Sequence, residues 1–154
     1  MQDRFLRGIL VGLGAGFAMM LVSLTLRWLN LTDSHILQKG AFIFVTRAES
    51  NQLLGIVLGL CVHITFSAMY GIGFQLLIWA LGNDYLFIRG VSYSIFIWVG
   101  YGILSQIMNI EDLIPPNASS ALGWLFSHLI YGLGLAAITL WLDRRVAAAA
   151  RTGD

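Results

Sequence analysis

The sequence predicts an all-α membrane protein: four transmembrane helices packed through glycine faces, with the arrangement of two related helical hairpins open to it. Composition is the first reason, because 58% of the 154 residues are hydrophobic and only 11% are charged, against roughly 45–50% and 25% in soluble domains. The second is that the charges leave four long runs untouched, residues 8–26, 53–82, 91–110 and 121–142, of 19, 30, 20 and 22 residues. A helix rises about 1.5 Å per residue, so each run can cross an apolar core about 30 Å thick. The third is the spread of Lys and Arg. With four crossings both termini share a face with the 83–90 turn, and that face carries Arg4, Arg7, Arg89, Arg144, Arg145 and Arg151 against Arg27, Lys39 and Arg47 opposite. Six against three places both termini in the cytoplasm. The whole chain reads as one transmembrane domain, with helices at about 8–28, 50–82, 90–110 and 120–143, an outer-face interfacial loop at 30–49 and a cytoplasmic tail at 144–154.

The first span follows basic residues, as a cleaved signal peptide would, but it is too long, closes on Arg27 and has no A-x-A site after it. Its GILVGLGAG stretch is not a dinucleotide loop, since Gly12-Leu13-Gly14 is followed by Phe17 where a third glycine is needed, and no strand precedes it. Gly8, Gly12 and Gly16 instead recur every four residues and strip one helix face for close approach by a neighbour. Val11 lies off that seam and is expected to meet lipid or a looser contact. The loop that follows holds Ile36, Leu37, Phe42, Ile43, Phe44 and Val45, too many apolar residues for a free linker, but Lys39-Gly40 interrupts them. It is expected to lie on the membrane surface or cap the bundle.

Thr46-Arg47-Ala48-Glu49 is a capping box, so the second span is expected to start there, outside the membrane, and to tilt or project, being about 15 Å longer than a crossing needs. Gly55, Gly59, His63, Ser67 and Gly71 step by four along it, a second small-residue stripe that could face the first, with His63 at the contact and Ser67 as its hydrogen-bond partner. Cys61 is expected to be buried and supplies no disulfide or CxxC chemistry. NDYLFIRG turns the chain into the third span. After it, Glu111 and Asp112 precede Pro115-Pro116 in a loop, where solvated acids are the default. Asn30 and Asn117 head glycosylation-type sequons of little weight.

The fourth span carries Ser127-His128-Leu129-Ile130-Tyr131-Gly132-Leu133-Gly134, which parallels Tyr70-Gly71-Ile72-Gly73 of the second, each followed by a tryptophan, Trp79 or Trp141. Trp28, Trp79, Trp124 and Trp141 fall near run ends, as an aromatic belt would. Asp143-Arg144-Arg145 is expected to stop the helix, with the alanine run extending it weakly.

No G-x-S-x-G, H-E-x-x-H or Walker pattern occurs, and nothing points to nucleic acid. The intramembrane polar groups are His63, Ser67, Tyr70, Gln75, His128 and Tyr131. Three functions fit them. The one the sequence favours is a non-enzymatic component, in contact with the lipid bilayer, that self-associates or packs into a larger membrane complex through Gly8, Gly12, Gly16, Gly55, Gly59, Gly71 and Gly132, with the histidines as neutral packing groups and no cofactor or metal. Another is a small transporter or channel subunit with a polar path through His63. The third is a b-type haem protein using His63 and His128 as axial ligands.

GILVGLGAGFAMM, NDYLFIRG and SHLIYGLGLAAITLWLDRR together resemble small bacterial four-helix integral membrane proteins of uncharacterised function. The resemblance implies a multi-pass protein of the bacterial inner membrane and brings no activity with it.

Overall fold

The computed structural model describes residues 4–152, and all regular structure among them is helical: α1 (Arg4–Trp28), α2 (Ile36–Ala41), α3 (Arg47–Ser50), α4 (Leu53–Leu81), α5 (Leu86–Ile107), a 3₁₀ turn (Glu111–Leu113) and α6 (Ala118–Thr152). Four of these, α1, α4, α5 and α6, are long and apolar enough to cross a membrane. The chain enters α1 and leaves α6 at the same end, here the terminal end; α2, α3 and the 3₁₀ turn gather at the other, the cap end.

Backbone chemistry sets the breaks between these helices. Asn30 and Asn109, at φ 57° and 52°, close α1 and α5 in the left-handed region that asparagine tolerates. After each, an amide reaches back a full turn, Leu31 N to Leu26 O at 2.9 Å and Ile110 N to Ser105 O at 3.3 Å. Asn117 follows two prolines and caps α6, its Oδ1 accepting from Ser120 N at 2.9 Å. The Thr46 box is formed, with Thr46 accepting from Glu49 N, but it caps the four-residue α3 and not the second span. The chain breaks at Asn51-Gln52 and α4 begins afresh at Leu53, because Asn51 turns its side-chain amide onto Arg47 O and so competes with a continuing helix. At the far end the helix does not stop at Asp143 but runs to Thr152; the Arg151 side chain and residues 153–154 lie outside the described residues.

In packing, α1 lies along both α4 and α6, α6 also lies along α5, and α2 rests on α4. The α1/α4 crossing is close: a Cβ on Gly8 would lie 2.6 Å from Ile72 Cα, and one on Gly12 would overlap the Ser67 carbonyl. Gly71 sits against Gly8 and Gly12, and Gly16 against Ser67. The outer part of the α4 stripe faces elsewhere, Gly59 against Leu37 of α2 and Gly55 against Glu49 and Ser50. Gly132 meets Gly90 and Ser94 of α5.

Three side chains differ from expectation. Val11 is fully buried, because α6 covers the flank of α1 that lies beside the seam. Cys61 is exposed on the outer surface of α4. Trp124 is buried under the cap instead of joining the exposed Trp28, Trp79 and Trp141.

Candidate functional site

The cap is held by charge. His35-Ile36-Leu37-Gln38 is a capping box with an imidazole in the Ser/Thr role: His35 Nδ1 accepts from Gln38 N, and Gln38 Oε1 accepts from His35 N at 3.0 Å. This short helix delivers Lys39 inward, where it is 3% exposed. Its Nζ donates to Asp112 O at 2.6 Å, sits 3.5 Å from Asp33 Oδ2 and lies 3.7 Å above the Trp124 ring. Arg47 completes the group, with Nε 2.6 Å from Asp112 Oδ1 and a second nitrogen 3.6 Å from Asp33. Asp112 therefore joins both cations, its carboxylate on Arg47 and its carbonyl on Lys39, while its side chain stays partly exposed. Burial pushes the Lys39 ammonium down to about 8 despite Asp33, and burial with Arg27 holds the His35 imidazole below its ordinary value.

Beneath Lys39 lies a cavity of about 50 Å³, lined among others by Ser23, Tyr101, Ser127 and His128. It has room for about one to three waters. The Tyr101 hydroxyl is buried there without a hydrogen-bond partner among the described residues, so a water would satisfy it. His128 Nδ1 lies 2.8 Å from Trp124 O, and His63 Nε2 lies 3.0 Å from Gly16 O. A carbonyl only accepts, so both ring nitrogens donate, leaving His128 Nε2 and His63 Nδ1 as the acceptors when the rings are neutral. The partner of His63 is thus Gly16 and not Ser67.

Continuing toward the terminal end, the Tyr131 hydroxyl donates to Ser67 O at 2.9 Å. Next comes an apolar layer of Val11, Ala15, Phe74 and Leu135, all fully buried. Past it, Gln75 Nε2 donates to Thr139 Oγ1 at 2.6 Å, and Arg7 donates to Thr139 O at 3.1 Å and to Asp143 at 2.6 Å. Asn83 donates to the other Asp143 oxygen at 3.2 Å.

Of the polar residues singled out by sequence, the structure sets His63, Ser67, Gln75, His128 and Tyr131 in a file along the α1, α4 and α6 contacts, with Ser67, Gln75 and Tyr131 buried and the two histidines half-buried. Tyr70 stands apart, its ring stacked on Phe66 at 5.7 Å and its carbonyl accepting from Tyr93 at 3.0 Å. Sequence reasoning missed Lys39, Tyr101, Thr139 and the Arg7–Asp143 pair. Only the H-x-x-Q box ahead of Lys39 offered a readable signal, since the rest depends on which helix faces which.

A family model described as a family of unknown function (DUF6789) matches residues 2–150. No curated protein and no solved structure matches the chain.

Proposed function

The chain belongs to the DUF6789 family of unknown function, and from that premise we propose a non-enzymatic membrane protein, a small transporter or channel subunit that passes protons through the interior of its bundle. The observation that carries this reading is the file itself. Polar side chains occupy the buried α1/α4/α6 interface on both sides of one apolar layer, where aliphatic side chains would pack at lower cost. From His63 to Gln75 the file advances 12 residues of α4, about 18 Å. Imidazole and hydroxyl groups can each accept and release a proton, and the 50 Å³ cavity at His128 gives the outer half a place for water. The layer of Val11, Ala15, Phe74 and Leu135 makes this a closed state.

The seam glycines named from sequence all face partners inside the chain. Self-association or packing into a larger complex would therefore use the outward faces of α4 and α5, which suit lipid equally well. Haem is a poor fit, the 50 Å³ beside His128 being far below what a porphyrin occupies. In this reading the bundle is glycine-packed, sits in a bacterial inner membrane with cytoplasmic termini, and consists of two related hairpins. The hairpin relation is supported by paired features: α1 and α5 both end on a left-handed Asn, and Gly71 and Gly132 each rest on a glycine of the preceding long helix.

Liposomes holding a pH-sensitive dye test the proposal. With a potassium diffusion potential as driving force, the wild-type chain should acidify or alkalinise the lumen faster than empty vesicles, and His63→Gln and His128→Gln should each slow it at least about tenfold, since each removes a ring that binds and releases a proton near neutral pH. Wild-type vesicles no leakier than empty ones, or variants as fast as wild type, would sink the reading.

A further inference from the structure

At the terminal end a cleft of about 1090 Å³ opens between α1, α4 and α6. Its walls are mostly apolar, with Phe5, Ile72, Leu76 and Val146 among them, and Arg4, Trp79 and the Arg7–Asp143 pair also line it. Arg4 places its guanidinium 4.7 Å from the centroid of the Trp79 ring. Among the described residues Arg4 makes no ion pair, whereas Arg7 is paired with Asp143. Among the side chains described at the same end stand Arg4, Arg7, Arg89, Arg144 and Arg145 against Asp84 and Asp143, five cations to two anions.

We propose that this cleft seats one anionic phospholipid, its phosphate at Arg4 and the rim and an acyl chain along the Phe5, Ile72 and Leu76 wall. Three observations favour that occupant. The cleft lies where the apolar spans end, so headgroups and chain ends meet at its mouth. An acyl chain would cover the apolar part of its walls, from which water gains nothing. Its basic excess of Arg4 over the Arg7–Asp143 pair is complementary to one negative charge, and a guanidinium over an indole still has N–H groups to offer phosphate oxygens. The proposal does not rest on the proton path and survives its failure.

The test uses the full chain in nanodiscs of phosphatidylcholine alone or with 20% phosphatidylglycerol, with retained lipid counted by native mass spectrometry and the melting midpoint followed. Phosphatidylglycerol should be retained near one per chain and raise the midpoint. Arg4→Gln and Trp79→Leu should each cut retention at least about fivefold, while Arg145→Gln, whose guanidinium lies over Trp141 away from the cleft, should leave it unchanged. Should Trp79→Leu fail to fold, Arg4→Gln alone decides, because Arg4 is exposed and its loss removes no core contact. Equal retention in Arg4→Gln, an equal loss in Arg145→Gln, or the same shift in phosphatidylcholine discs on adding inorganic phosphate would each overturn the site.

Discussion

Lys39 is the one charged side chain that is buried among the described residues, and its surroundings set how the cap responds to pH. Folding moves its pKa from 10.5 to about 8, because burial penalises the ammonium more than Asp33 and Asp112 stabilise it. Between those two pH values the unfolded chain holds a proton that the folded chain has released, so stability rises with pH across that window and is flat on either side of it. The rise should approach roughly 3 kcal/mol. Lys39→Met keeps most of the buried stem, leaves Arg47 beside Asp33, and removes the titration; its melting midpoint should not climb between pH 7.5 and 10.5 while the wild type's does. An equal climb in both proteins would assign the effect to other groups. None of this was legible from a lone lysine beside a glycine. The sequence states that Lys39 interrupts an apolar stretch, and only the fold shows that the stretch turns inward and brings Asp33, Asp112 and Trp124 around it.

At the scale of helices, what decides packing is which faces lack side chains. The seam of Gly8, Gly12 and Gly16 was readable because a period of four on a helix marks one face whatever the partner. Which residues flank it was not, since α1 meets two neighbours and Val11 is buried by α6 while the glycines meet α4. Gly12→Leu should therefore separate α1 from α4, costing about 3 kcal/mol or more because the intruding atoms meet backbone that cannot move aside. Leu10→Ala is the fitting control, Leu10 being 54% exposed, and should change the midpoint in detergent by little. Equal losses in the two variants would mean that the seam carries no special close contact. Helix starts were legible to a similar degree. The Thr46 box announces a helix, and a helix is there, but nothing in T-x-x-E says that it lasts four residues; the Asn51 side chain that ends it is an ordinary loop residue until its contact with Arg47 O is seen.

For the whole molecule, four crossings put the two ends of the chain on one side, and the remaining question is which side. The charge count favours the cytoplasm, six basic residues against three, and short flanking segments are where such counts matter most. The fold sharpens how this can be examined. A reporter inserted at Lys39 would destroy the cap, because that side chain is buried, and would report misfolding as readily as topology. Phe44 is 66% exposed and lies between α2 and α3, so an insertion after it should leave Asp33, Lys39 and Asp112 in place. With cytoplasmic termini, a reporter active only in the cytoplasm should work when fused after Asp154 and stay silent after Phe44, and one active only outside the membrane should show the reverse. The opposite pattern at both sites would invert the molecule, turning the Lys39 cavity toward the cytoplasm and the Arg4 cleft outward, so that protons entering from the cytoplasm would meet the His128 end of the proposed file first.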